Sequence, residues 1–233
     1  MGYLLENVKE NLFVLAIWDT DWSSYNNCYI LLEKESVILV DSCKKQHIPL
    51  LEQALNDLGK SPQDVKLVLA THGHEDHVEG AAIFTNARKL INPREELDDM
   101  LGFEPVLLDQ GTIQGFDYEL VEHHSPGSVV FYHEDSKTVF MGDFLCFFGD
   151  PLSKGGLVSE GEDLRKAWMD FLEDGGVPEA VLPGFLNGLK KIHDYDAEVM
   201  CTGHGGVLVG EIKDFIAELV RVGELNSSYI EQG

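Results

Sequence analysis

Three imidazoles and two carboxylates fall within the six residues His72-Gly73-His74-Glu75-Asp76-His77. Imidazole and carboxylate are the ligands a borderline divalent metal prefers, so a run of this composition reads first as a metal site. The bland alternative is a solvated histidine-rich turn, and the spacing argues against it. In an extended segment His72 and His74, two apart, point to the same side. Asp76 and His77, at the start of a following helix, can turn back toward the same point. Directly upstream runs Val65-Lys66-Leu67-Val68-Leu69-Ala70, an apolar stretch of strand length that would present the motif in a fixed array.

The motif needs a scaffold, and the chain alternates strand and helix patterns without a linker, a repeat or a low-complexity segment. Strands are expected at Asn11 to Trp18 and Asn27 to Leu32, flanking the polar, aromatic loop Asp19 to Asn26, and again at Ser36 to Asp41. Ile48 to Leu58 has helical periodicity, with Gly59 in the C-cap position. After the Val65 strand, a helix is expected from His77 to Thr85, and Asn92 to Glu96 reads as the start of a short one. Strands recur near Tyr118 to Val121, Ser128 to His133 and Thr138 to Met141. Later helices are expected at Gly161 to Glu173, at Phe185 to Tyr195 and, amphipathic, at Val209 to Leu225. Two half-buried sheets covered by helices suit this order, an α/β arrangement.

HxHxDH after a hydrophobic strand resembles the signature of the metallo-β-lactamase superfamily. Further stretches match that family's pattern in order: Val37 to Asp41, a histidine turn at Glu122-His123-His124-Ser125-Pro126-Gly127-Ser128, Gly142-Asp143, and Gly203-His204-Gly205. The usual proline-glycine before the turn histidine is replaced by Glu122-His123, but Ser125-Pro126-Gly127-Ser128 puts His124 in register with the family ligand. The resemblance implies a four-layer αββα sandwich over residues 1–233 with metals at a sheet edge. It further implies that His72, His74 and His124 hold one ion and Asp76, His77 and His204 a second, with Asp143 bridging. Two divalent ions are thus expected, zinc first and iron or manganese as alternatives. The chemistry that follows is hydrolysis of a small-molecule ester, thioester or lactone, with Asp76 also orienting water or accepting its proton. Asp41 has two readings: a partner fixing a ligand histidine, or a turn cap. The rival class is an iron-dependent oxidoreductase of the same fold. A flavodiiron enzyme would carry glutamate where His74 stands; a persulfide dioxygenase keeps the same histidine motif.

Composition narrows the partners. At 233 residues the chain supports one α/β domain with a sizeable core, and 44 % hydrophobic content is ordinary. Seventeen basic against 41 acidic residues give a net charge of −24. Such a surface repels phosphate backbones and anionic lipid, so a small-molecule substrate is expected, with no nucleic acid and no membrane. Lys44-Lys45 and Lys190-Lys191 are isolated pairs rather than a basic patch. Cys28, Cys43, Cys146 and Cys201 form no CxxC pair, and no export signal or spanning segment is evident, which points to a cytoplasmic setting. The tail offers no basic region of the kind expected in glutathione thioesterases.

Aromatic residues beside the ligand stretches are candidates for the substrate mouth. Phe144 and Leu145, directly after Asp143, read as core. Trp22 and Phe148 lie next to turn signals, Ser23-Ser24 and Gly149-Asp150-Pro151, and are expected at a partly hydrophobic pocket that selects neutral or apolar acyl substrates.

Overall fold

The computed structural model describes residues 2–97, 99–121, 123–150 and 152–230. Glu122 of the histidine turn, Pro151 of the turn after Phe148 and residues 231–233 of the acidic tail lie outside the described residues.

Two seven-stranded sheets form the body. The first is built in chain order from β1 (Tyr3–Lys9), β2 (Leu12–Asp19), β3 (Ser24–Leu32), β4 (Val37–Val40), β5 (Val65–Leu69), β6 (Arg88–Ile91) and β7 (Glu104–Pro105). β1 to β4 pair antiparallel, and β4 to β7 pair parallel. The second contains β8 (Gln110–Ile113), β9 (Phe116–Leu120), β10 (Val129–His133), β11 (Thr138–Gly142), β12 (Val158–Ser159), β13 (Val199–Thr202) and β14 (Val207–Val209), in spatial order β12-β14-β13-β11-β10-β9-β8. Among these, β11 and β13 run parallel.

Period-two alternation assigns each strand a face toward each layer. In β2, Leu12, Val14 and Ala16 point between the sheets, while Leu15 and Ile17 point outward onto α1 (Ile48–Asp57). In the other sheet Val129, Phe131 and Phe140 face inward; Val130, Tyr132, Val139 and Met141 face α3 (Glu162–Glu173), α4 (Leu182–Ile192) and α5 (Ile212–Ile230). The layers therefore run helix, sheet, sheet, helix, the four-layer αββα sandwich expected. Each fully buried Leu or Phe in these layers contributes about 1.5–3 kcal/mol.

Several boundaries differ from the sequence pattern. The helix expected from His77 to Thr85 is a single α turn, α2 (Glu75–Val78), followed by a 3₁₀ segment, Glu79–Ile83. Gly80 lies against Cys43, to whose carbonyl it donates at 2.6 Å, and a Cβ there would come within 2.9 Å of the Cys43 nitrogen. Asn92 to Glu96 forms a turn, not a helix, because the Asn92 side chain accepts the Arg94 amide. β3 begins at Ser24 rather than Asn27, and α4 begins at Leu182 rather than Phe185. Among the described residues no helix is long and apolar enough to cross a membrane. All four cysteines are free and buried.

Candidate metal centre

Parallel pairing places the carboxyl ends of β4 and β5 side by side, and likewise those of β11 and β13. The residues just beyond these ends are Asp41, Thr71 to His74, Asp143 and Gly203-His204. The two sheets meet there: the Val129 amide donates to the Thr71 carbonyl at 2.8 Å, and the Asn27 amide to the Gly203 carbonyl at 2.9 Å.

Seven of the eight candidate ligand and support side chains converge on one point. His72, His74 and His124 present ligand atoms within 4.8 Å of one another, as do His72, His77 and Asp143, and Asp76, His77 and His204. His124 Nε2 lies 3.0 Å from His74 Nδ1 and 3.5 Å from Asp143 Oδ2. His77 Nε2 is 3.3 Å from both Asp76 Oδ2 and Asp143 Oδ1, and His204 Nε2 is 3.3 and 3.2 Å from Asp76 Oδ2 and Asp143 Oδ2. The eighth, Asp41, stands behind the cluster. Its backbone is left-handed (φ 59°), and its carboxylate accepts from the Thr71 amide (2.7 Å), the Thr71 hydroxyl (2.8 Å) and His77 Nδ1 (2.9 Å). Of its two readings, the hydrogen-bonding pattern is that of a residue that holds both the strand-end turn and a ligand-type ring.

The cluster fits divalent cations. His72 Nε2, His77 Nε2, His204 Nε2, Asp76 Oδ1 and Asp143 Oδ1 are buried with no hydrogen-bond partner. Leaving so many polar atoms unpaired costs about 1–3 kcal/mol each, which positive charge at their common centre would offset. The outer ring nitrogens are fixed: His77 Nδ1 on Asp41, His204 Nδ1 on the Tyr25 carbonyl (2.7 Å) and His72 Nδ1 near the Thr71 hydroxyl (3.1 Å). Each ring therefore turns Nε2 inward. Gly203 leaves the space open, since a Cβ there would stand 2.2 Å from Asp143 Oδ1.

Electrostatics divides the histidines. Burial lowers the His72 pKa well below its ordinary value, with the charge of His77 adding to the effect, so His72 is neutral as a ligand must be. Burial likewise lowers His124. At His77 burial opposes the charge, but Asp143, Asp76 and Asp41 outweigh it and raise the pKa well above the usual range. At His204 burial again opposes the charge, but the Asp143 and Asp76 carboxylates, 3.2 and 3.3 Å from Nε2, outweigh it and raise the pKa to about 9. At Asp76 and Asp143 burial is again the largest influence and is overcome, chiefly by His77 and His204, so both carboxyls are held well below their ordinary value.

His123, the other histidine of the turn, packs against Phe144 and Phe185 at ring distances of 5.8 and 4.9 Å and stays out of the cluster. Phe144 and Leu145 are core, as expected. Trp22 and Phe148 are about half exposed and border the cluster, their rings 6.1 and 4.5 Å from that of His204. Trp22 is held from behind: Lys44 Nζ sits 3.8 Å over its ring and pairs with Asp19 Oδ2 at 2.5 Å.

Sequence reasoning missed four supports. Asn26 Nδ2 donates to Asp76 Oδ2 (3.1 Å), and Asn27 Nδ2 holds the His204 turn through the carbonyls of Thr202 and Gly205. Tyr25 acts through its carbonyl, which no side-chain pattern reveals. Glu95 accepts the amides of Gly73 and Gly127 at 2.8 and 2.7 Å and the Ser125 hydroxyl, joining two ligand-bearing loops. Its only signal was an acidic pair, Glu95-Glu96, following Asn92-Pro93-Arg94.

Comparison with known proteins agrees with this geometry. The Metallo-beta-lactamase superfamily model matches residues 23–116. A probable metallo-hydrolase of Methanocaldococcus jannaschii is 29% identical over 176 residues, covering 75% of this chain and 73% of that protein. A hydroxyacylglutathione hydrolase of Pseudomonas syringae pv. syringae is 34% identical over 88 residues, 35% of this chain and 34% of the other. Among solved structures, a flavoprotein of Thermotoga maritima superposes with a TM-score of 0.70 at 15% identity over 95% of this chain, which spans 61% of that protein. A putative diflavin flavoprotein fragment from Nostoc gives 0.68 at 12% identity, covering 97% and 98% of the two chains. At such identities these two show the fold alone. The chain is thus similar to the metallo-beta-lactamase superfamily over residues 23–116. It resembles a probable metallo-hydrolase over most of its length and hydroxyacylglutathione hydrolases over about a third, and it carries a His/Asp cluster able to hold metal.

Proposed function

We propose that this protein hydrolyses an ester, thioester or lactone bond in a small, uncharged molecule at a two-metal centre. The observation that carries the reading is the convergence of seven histidine and aspartate side chains, five of which turn a buried, unpartnered nitrogen or oxygen to the common centre. His72, His74 and His124 would hold one ion, Asp76, His77 and His204 the other, and Asp143 lies between the two groups. Zinc is the first choice, iron or manganese the alternatives. Bound there, the metal pair would bring the pKa of a water toward ~7 and polarise the scissile carbonyl.

The chain's own residues prepare that chemistry. Asp76 is ionised and tethered through Oδ2 by Asn26, leaving Oδ1 as the atom that orients water or accepts its proton. Asp41 keeps the His77 ring in one tautomer, and the Tyr25 carbonyl does the same for His204. Trp22 and Phe148 shield the approach beside His204, and the acidic surface disfavours polyanions, nucleic acid among them.

A hydrolase screen of metal-replete protein with thioesters, lactones, phosphodiesters and β-lactams, against a chelated control, tests the reading. Turnover of a neutral ester, thioester or lactone that chelation abolishes is expected. Oxygen uptake with a persulfide and no hydrolysis would instead select the iron-dependent oxidoreductase.

A further inference from the structure

Among the described residues the exposed large aromatics are Trp22, Phe148 and Phe171. All three border the metal cluster, although Phe171 lies about a hundred residues beyond its motif. On a surface with a net charge of −24, that concentration of exposed apolar rings marks a binding face.

Beside the cluster opens a cavity of about 230 Å³ whose walls include His124, Asp143, Phe148, Trp168, Phe171 and Val177. A second cavity of about 400 Å³ shares Cys146, Phe148, Trp168 and Phe171 with it and extends along α3 to Leu164 and Ala167. Leu164, Ala167, Trp168 and Phe171 stand at i, i+3, i+4 and i+7, so one face of α3 forms the wall. The inner volume is below the roughly 300–1,000 Å³ of whole-ligand pockets, so it suits one substituent rather than an entire substrate.

The lining has a polar end and an apolar end. His123, His124 and Asp143 mark the end at the cluster, and no charged side chain lines the outer cavity. Trp168 has spent its single donor on the Cys146 carbonyl (2.9 Å) and stacks on Phe185, so toward the groove it offers only carbon surface. Phe171 meets Trp168 edge-on at 5.3 Å and is backed by Gly176, where a Cβ would stand 2.2 Å from the ring.

We propose that this groove along α3 is the subsite for an uncharged aliphatic or aryl group attached to the scissile bond, with Phe171 and Trp168 as its specificity-determining residues. The assignment rests on the hydrolase reading for what the group is attached to; the groove itself is testable without turnover. The group enters on the His124 side of Phe148, away from Trp22, so chain length is read by α3 and not by the loop between β2 and β3.

Two measurements separate the groove from the chemistry. The first is hydrolysis of acetyl, butanoyl, hexanoyl and octanoyl thioesters of N-acetylcysteamine by metal-replete wild type, Phe171→Ala and Ala167→Glu. The second is calorimetric titration of metal-depleted protein with butanamide and octanamide. Ala167 is exposed on α3, so a carboxylate there charges the groove without touching the core. Wild-type kcat/KM should rise up to about fourfold per methylene, the worth of a buried CH₂ group. Both variants should lose about tenfold on octanoyl and little on acetyl, and should bind octanamide correspondingly less. Octanamide binding with this dependence but no thioester turnover would keep the groove and reject the hydrolase. Turnover indifferent to chain length, with octanamide binding equal in all three proteins, would overturn the groove and keep the hydrolase. A concentration-dependent dimer dissolved by Phe171→Ala would also overturn it, because a second copy of the chain would then be the occupant.

Discussion

The Gly127 amide donates to Glu95 Oε1 at 2.7 Å, and the other oxygen of the same carboxylate accepts the Gly73 amide at 2.8 Å. One side chain thus ties the loop bearing His72 and His74 to the loop bearing His124. Both glycines are required by closeness, since a Cβ on either would come within 2.7 Å of a Glu95 carboxylate oxygen. Glu95→Gln should therefore weaken metal binding at the His72, His74 and His124 group by about 10–100-fold, the usual cost of losing such a support. Competition titration should become biphasic, with the Asp76, His77 and His204 group spared. A uniform loss at both groups would contradict this division.

Asp41→Asn tests orientation of His77. Asparagine tolerates the left-handed backbone at this position, so the change removes the carboxylate without adding strain. Metal affinity of the Asp76, His77 and His204 group should fall by about 10–100-fold. Unaltered affinity with a lowered melting temperature would make Asp41 a turn cap alone.

Elemental analysis of protein purified without added metal should approach two equivalents per chain, and Asp143→Ala should lose more metal and activity than His123→Ala. Asp143 lies within 3.5 Å of His77, His124 and His204, whereas His123 faces Phe144 and Phe185. Loss of metal on replacing His123 but not His124 would reverse the register of this turn.

Protons compete with the metals. In the metal-depleted protein the His204 pKa is about 9, above the ~6.5 of an unfolded chain. A raised pKa contributes stability that is fully present below pH ~6.5 and is lost as pH climbs through the folded-state value. The melting temperature of metal-depleted protein should fall between neutral pH and about 9, and metal uptake at neutral pH should release protons. Calorimetry in buffers of different ionisation enthalpy measures that release; identical heats in all buffers would refute it.

Trp22→Ala and Phe148→Ala should raise KM or lower kcat/KM several-fold for the best substrate. Both side chains are about half exposed, so stability should change by no more than about 0.5 kcal/mol and metal content should hold. Unfolding of both variants would make them core residues.

The strands that carry ligands were legible because each is an apolar run ending in a polar turn, as at Val65–Leu69 and Thr138–Gly142. β1 was not, since none of its seven residues is buried at this sheet edge: six are half-buried and Asn7 is exposed, with no alternation in burial. Arg88–Ile91 hid behind two leading cations. Ligands announce themselves by side-chain type and local spacing. Their supports do not: Glu95 reaches the site from a distant turn, Asn26 from within β3, and Tyr25 contributes only a carbonyl.

Chain order gives the meeting of the two sheets a further consequence. Every strand of the first sheet precedes residue 106 and every strand of the second follows residue 109. His72, His74, Asp76 and His77 are therefore synthesised together with one sheet, whereas His124, Asp143 and His204 arrive with the other. During synthesis neither ligand group is complete until the later sheet has emerged and docked. Loading of the full centre is thereby a late event that reports on completed assembly, and the filled site would clasp segments as far apart in the chain as His72 and His204.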